Sequence, residues 1–401
     1  MLRQLPVVAA LLASLALNKI GIVQTLDRRQ GAVFYLNLLY GQDKGSLSEG
    51  DNLISAKTGH DSSAASRKYA TELVVDESLT NAQSCTGTLD YKPVRSGTLV
   101  ITDGDVTFTA NGSGVLVPDD SALSNGTINL TTGAYACTFA GAPATTPTGS
   151  YRYNYEKESS DAGVPEVDVD LTSETLEAID FPLRAKYTMG AAIDLEKAHG
   201  LVLEDEIIKY LSGEIKFEVD HYGIQMIADT SKTANAAAGT NGIGAWDATI
   251  ADGQEWLWRK YMFLDMVEKG SNAIFAKTLR GMASFILAGN NVARVIRQLE
   301  PHFKPAPGLG STVPTGPFEL GTLDGRLVIQ DPFLPTNQYT LGFKGDSYLF
   351  AGFIYAPYIP LFATPTLVTS DLKAQKGFMS SAGFKVINPG LYTYGTVSGL
   401  Q

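Results

Sequence analysis

The sequence predicts an α+β fold, and three patterns carry that expectation. Short runs rich in Thr, Val and aromatic residues recur between Asp-Gly, Asn-Gly and Thr-Gly pairs, the signature of antiparallel hairpins. The segment 164–189 alternates polar and apolar residues with period two. One stretch, Leu203–Ala228, instead spaces its apolar residues at helical period.

A chain of 401 residues exceeds one comfortable core, so two or more domains are expected. With 44% apolar and 18% charged residues it is globular rather than disordered. Its 40 glycines and 18 prolines imply many turns. A net charge of −11 argues against sequence-independent nucleic-acid binding, which needs cations to neutralise phosphates. The same charge argues against an anionic membrane surface as partner.

The opening "MLRQLPVVAALLASLALN" puts Arg3 before a mostly apolar run, Leu5–Leu17. That run is short for a membrane span. It has the outline of a signal peptide, but "LALNKIGIV" lacks the small residues that cleavage requires. The third reading is a buried helix with Pro6 in its first turn. Residues 19–41 pass into strand-like alternation at Val33–Tyr40, and 42–84 are polar with a β-like "YATELVV". Residues 85–155, nearly free of Lys and Arg and dense in hairpin signals, read as an inserted all-β module. In 164–189, Glu166, Asp168 and Asp170 take one strand face and Val167, Val169 and Leu171 the other.

In Leu203–Ala228, Ile208, Leu211, Ile215, Val219, Tyr222 and Met226 form one stripe. The helix would be ~39 Å long, a spine for the molecule. A Gly/Ala/Asn linker (233–245) leads to a second helix, 254–279, whose Trp256, Trp258 and Tyr261 read as core. "MASFILAG" (282–289) reads as a buried strand, "NNVARVIRQL" (290–299) as a helix, 301–317 as a loop, and the rest as short strands.

Signatures of catalysis are missing: the sequence holds no G-x-S-x-G elbow, phosphate loop or H-E-x-x-H. "DVDLTSETLEAI" starts like a calcium loop but lacks its Gly and ends in Ile179, not Glu. His60, His199, His221 and His302 are scattered, without metal-ligand spacing. His199 reads as packing where the spine helix begins. Cys85 and Cys137 read as two unrelated buried thiols, with a disulfide the alternative in an oxidising compartment. Asn-x-Ser/Thr triplets at Asn111, Asn125 and Asn129 read as chance in so polar a segment. No catalytic, cofactor-binding or metal-ligating residue is assigned, and no cofactor.

Four stretches, in order, resemble the major capsid protein of T-even-type tailed phages. "GIVQTLDRRQGAVFYLNLLYG" (21–41) is similar to the family's arm-to-strand segment, with Gly21, Gly31, Tyr40 and Gly41 in place. "AKYTMGAAIDLEKAHGLVLEDEIIKYLSGEI" (185–215) resembles the approach to the spine helix, matching at Tyr187, Thr188, Asp194, Leu195, His199, Gly200, Glu206 and Glu214. "RGMASFILAGNNV" (280–292) resembles a strand–helix element of the axial domain, and 321–361 matches most closely, above all at "YAPYIPL". The chain departs from the family at Gly190, where an acidic residue is usual, and at "SSAGF" (380–384). "LSEG" (47–50) resembles a maturation cleavage site and reads as chance.

The resemblance implies the Hong Kong phage-type capsid fold, with an all-β insertion in its extended loop. The expected map is an N-terminal arm (1–41), an extended loop (42–84 and 156–183), the inserted β domain (85–155), a peripheral domain with the spine helix (184–235 and 320–401) and an axial domain (236–319). Residues 5–17 then belong to the arm rather than a signal peptide. The implied function is that of a non-enzymatic shell subunit. It assembles as a homo-oligomer, in hexamers and also pentamers, into the icosahedral or prolate virion head around double-stranded DNA, without a membrane. Assembly takes place in the bacterial cytoplasm. Implied partners are scaffolding, portal and vertex proteins, with decoration proteins on the insertion. The family commonly carries a removable N-terminal scaffolding segment, so the expectation is a separate scaffold or a short form. The alternatives are the pentameric vertex protein and, from another class, a secreted β-rich S-layer-type protein. A secreted polysaccharide-degrading enzyme stands third.

Overall fold

The apolar stripe does wind into a helix, and sheets assemble on it. A computed structural model describes residues 15–55, 59–143, 145–157, 164–237, 244–249, 256–279, 281–307, 316–345, 351–369 and 373–400. The chain divides into two compact units, Met1–Tyr35 with Ala56–Gly59 and Thr172–Gln401, and Leu36–Ser55 with His60–Leu171.

In the first unit, a sheet is built on three long strands. β13 (Val167–Thr188) pairs antiparallel through residues 178–188 with β22 (Lys373–Val386), and β22 pairs antiparallel with β20 (Phe353–Ala363). β20 contains Pro357 and Pro360, and the register slips beside each of them, because proline cannot donate to a ladder and is tolerated at bulges. β1 (Ile22–Val23) joins β20 in parallel, and β21 (Leu367–Val368) joins β22.

A second sheet runs β14 (Trp246–Asp247), β23 (Tyr392–Ser398), β19 (Gln338–Gly342), β15 (Phe285–Ala288), β18 (Arg326–Gln330), β17 (Phe318–Leu323), β16 (Phe303–Pro305). Its middle strand β15 is the predicted "FILA", buried at every residue as a two-sided core strand must be. The expected loop 301–317 contains β16.

Among the described residues the α-helices are α1 (Leu17–Ile20), α2 (Met189–His199), α3 (Leu203–Ala237), α4 (Trp256–Thr278) and α5 (Asn290–Arg297). The spine α3 outruns its predicted end at Ala228, continuing into the Ala-rich stretch expected as linker. Its 35 residues span ~52 Å. It packs on β22 and β23 through Ile215, Val219, Ile224, Ile227 and Ala228. Three acidic residues, Glu204–Glu206, open it, where the helix dipole favours negative charge. Lys376 of β22 and the Thr366 hydroxyl both donate to Glu204, holding its carboxyl below the usual range.

α2 was not foreseen from the sequence. It carries no buried residue, so no apolar stripe announces it. It is fixed by its ends: Thr188 Oγ1 accepts from Ala191 N at 3.3 Å, and Gly200 closes it at φ 66°. His199 is its exposed last residue, which corrects the expected packing role; a histidine there suits the negative end of the dipole. Trp258 also differs from expectation. It is 73% exposed, while Phe263 of the same helix is the buried aromatic.

The second unit is dominated by one antiparallel sheet. Its order is β5 (Leu73–Ser78), β12 (Thr148–Arg152), β7 (Val100–Thr102), β8 (Thr107–Ala110), β9 (Val115–Pro118), β10 (Gly126–Ile128), β11 (Ala134–Thr138), β6 (Ser84–Thr88). The turns are the sequence's Gly-containing pairs. Gly104 at φ 96° and Gly133 at φ 72° adopt the left-handed conformation that side chains resist. β2 (Gln30–Tyr40), whose second half pairs with β3 (Asn52–Ser55), and β13 both run through the boundary between units.

Candidate functional site: an arm socket, a caged lysine and a bare strand

Residues 5–14 of the expected arm lie outside the described residues; Leu15–Val23 are seated in the first unit. Leu15, Leu17 and Ile20 are buried in its main core. Leu17 fits a hole that exists because residue 223 is glycine: a Cβ there would lie 2.6 Å from Leu17 Cδ2. Gly21 makes the same room for the Phe353 ring. Asp220 of α3 takes two amides at the start of α1, accepting from Ala16 N at 3.1 Å and Leu17 N at 3.2 Å. Burial pushes the Asp220 carboxyl up to about 6, against the lowering effect of those two amides. Lys344 Nζ donates to Asn18 O at 2.8 Å, and Lys19 pairs with Glu319. Beyond α1 the chain zips onto β20, with Gln24 N and Leu26 N donating to Tyr355 O and Pro357 O, each at 3.0 Å.

Leu15–Ile20 are covered by their own chain, because Gly223 and Phe353, more than 200 residues away, form the socket.

In the second unit Lys44 is 3% exposed. Its ammonium lies 5.3–6.0 Å from the ring centroids of Tyr153, Tyr69 and Tyr91, within cation–π range. It donates to Tyr69 O at 2.7 Å and to Thr71 O. Burial pushes its pKa down to about 8. Beside it Tyr40 packs edge-on against Tyr69 at 4.7 Å, donates to Asp61 Oδ2 at 2.9 Å and is pushed up to about 12, mainly by burial. Gly41, one of the resemblance positions, is tight against Glu166, where a Cβ would meet backbone at 3.1 Å. These groups brace a fold; none faces a cavity with a nucleophile or acid pair.

Cys85 and Cys137 face each other on β6 and β11, so they are not unrelated thiols, and both are free. His221 bonds Asp331 at 2.8 Å and His302 bonds Asp324 at 2.9 Å. Among the described residues no cluster of three or more His, Cys, Asp or Glu could hold a metal, and no helix is long and apolar enough to cross a membrane.

An open apolar surface is the first part of β13. Val167, Val169 and Leu171 are 44%, 66% and 60% exposed, and Val164 just before them is exposed too. Glu166, Asp168 and Asp170 on the other face are also exposed, while the backbone of β13 pairs with β2 and Glu166 O accepts from Gly41 N at 3.0 Å.

The model of one protein family, described as major capsid protein Gp23, matches residues 4–398. The chain belongs to this family. The major capsid protein of Vibrio phage KVP40 is 29% identical over 232 residues, 55% of this chain and 44% of that one. That of Enterobacteria phage T4 is 29% identical over 248 residues, 58% and 46% of the two chains. The chain thus spans just under half the length of these curated relatives. Among solved structures, a chain of Microbacterium phage Oxtober96 aligns over 60% of this chain and 79% of its own, with TM-score 0.38 and 11% identity. The capsid of Myoviridae phage XM1 aligns over 58% and 78%, with TM-score 0.36 and 12% identity. As a member of a major capsid protein family, the chain has its place in the phage head.

Proposed function

We propose that this capsid-family chain is the shell subunit itself, a Hong Kong phage-type building block whose copies form hexamers, and pentamers where curvature requires, around double-stranded DNA. The observation that carries this reading is the exposed face at Val164–Leu171, which leaves four aliphatic side chains 44–66% exposed. A neighbouring copy covering them would recover about half of the ~1.5–3 kcal/mol that burying a fully exposed one gives, for each. In this reading 42–84 with 156–183 are the extended loop lying across a neighbour, and 85–155 the outward insertion where decoration proteins would bind. Residues 184–235 with 320–401 are then the peripheral domain, 236–319 the axial domain, and the residues up to 41 the arm. Scaffolding, portal and vertex proteins are the remaining partners. The role is mechanical, not enzymatic. Net charge −11 suits a wall that confines DNA without adhering to it.

The test is negative-stain electron microscopy of the chain expressed with its phage neighbours. Hexagonal capsomers, tubes or closed heads are expected. Monodisperse monomers at every concentration would overturn the reading.

A further inference from the structure

Cys85 and Cys137 sit directly opposite one another across β6 and β11. Opposed residues of an antiparallel pair point to the same face, and here both thiols are buried, 0% and 3% exposed. Flanking bonds fix the kind of site. Leu89 N donates to Gly133 O at 3.0 Å and Phe139 N to Gln83 O at 2.9 Å. The hydrogen-bonded positions recur every second residue, which makes Cys85–Cys137 one of them. Such a pair holds its Cα atoms ~5.5 Å apart, within the ~4.4–6.8 Å that a disulfide spans. Cys137 Sγ already lies 3.7 Å from Cys85 O. β6 is the outermost strand of its sheet, so local fraying opens the thiols without unfolding the domain.

We propose that Cys85 and Cys137 are a redox clip, two thiols in a reducing cytoplasm and one intramolecular cross-strand disulfide once the chain meets an oxidising solution. The oxidant is a small disulfide of the glutathione class. Cys85 attacks one of its sulfurs as the thiolate and expels one thiolate. Cys137 then gives its proton to solvent, attacks the Cys85 sulfur and expels the second. Two protein thiols are oxidised and one small disulfide is reduced to two thiols. Cys85 goes first because the Cys137 thiol is engaged, its Sγ donating to Cys85 O, and its contact with Cys85 and its burial hold it above the usual range. The bridge would close a loop between residues 52 apart and so restrict the unfolded inserted domain. The clip does not depend on how copies assemble.

The full folded chain is incubated with oxidised glutathione or with dithiothreitol, then denatured, alkylated and mapped by mass spectrometry. With oxidant, both alkylation adducts should disappear together. The two cysteine peptides should be joined within one chain by a link that dithiothreitol breaks. The midpoint of the tyrosine near-ultraviolet dichroism transition should rise by several degrees. Cys85→Ser and Cys137→Ser should each abolish link and rise. Full alkylation of both thiols after oxidant treatment, when the same oxidant joins them in the urea-unfolded chain, would overturn the proposal. So would a stable glutathione adduct on either cysteine, or a link between chains.

Discussion

Lys44 shows how much one side chain can tie together. Its ammonium is held by three tyrosine rings and two backbone carbonyls, and its pKa falls to about 8 from an ordinary ~10.4. Between those values the unfolded chain binds a proton that the folded chain lacks, so stability rises with pH. Above pH ~10 the sign reverses, because Tyr40 holds its proton to about 12 while an unfolded tyrosine has lost it. Native-state amide exchange read at residues of the second unit should therefore give a stability that climbs from pH 8 and peaks near pH ~10. In Lys44→Met the climbing limb should vanish. A limb that persists in the variant would assign it to another group. At the arm socket, Gly223→Ala puts a methyl where Leu17 sits. Overpacking of this kind costs ~1–3 kcal/mol, and it should loosen α1 enough for trypsin to cut after Lys19 several-fold faster. An unchanged cutting rate would mean that Leu17 is not what seats the arm.

At the scale of elements, legibility followed local chemistry. The all-apolar "FILA" announced β15, buried at every residue. The 3-4 spacing of Ile208–Met226 announced α3, but of its residues Ile215 and Val219 are buried while Tyr222 is exposed, and Ile224 and Ile227 beside the stripe carry the core there instead. The Asp103-Gly104 and Thr132-Gly133 pairs announced turns of the second-unit sheet, because each glycine takes a left-handed conformation there, whereas Gly126 of Asn125-Gly126 opens β10. α2 was invisible because it buries nothing and depends on a cap and a left-handed glycine. Trp258 misled because an aromatic at helical spacing does not say whether its face meets a neighbour. The lysine cage could not be read at all, and the thiol pair only as the alternative to two unrelated cysteines. Tyr69, Tyr91 and Tyr153 meet Lys44, and Cys85 meets Cys137, only through strand register that no local pattern specifies. The buried face of α3 has a measurable consequence. Ile224 is fully buried, and Ile224→Ala should cost ~2–5 kcal/mol, read as an earlier tryptophan-fluorescence transition. Trp246, Trp256 and Trp258, the only three tryptophans, all lie in the first unit and report on it alone. A loss below 1 kcal/mol would place the weight of the core elsewhere.

For the whole molecule, the bare stretch of β13 separates folding from assembly. Its side chains are already in water in the single chain, so Val169→Asp with Leu171→Asp should change monomer stability by no more than ~0.5 kcal/mol. If a neighbouring copy covers that strand, the same double variant should yield soluble, folded chains that build no capsomers under the microscope. Normal heads from the variant would remove this strand from the contact between copies.

The arm socket also sets a schedule. Asn18 bonds a lysine 326 residues further along the chain, and Lys19 pairs with a carboxylate 300 residues on. Ribosomes add ~5–20 residues per second, so Leu15, Leu17 and Ile20 would leave the tunnel roughly 15–65 s before Lys344 exists to hold them. For that interval every nascent copy would carry the apolar Leu15–Ile20 without the whole of its socket. Subunits made in quantity would need a chaperone to shelter it, or a pace of translation slow enough to keep neighbouring nascent chains apart.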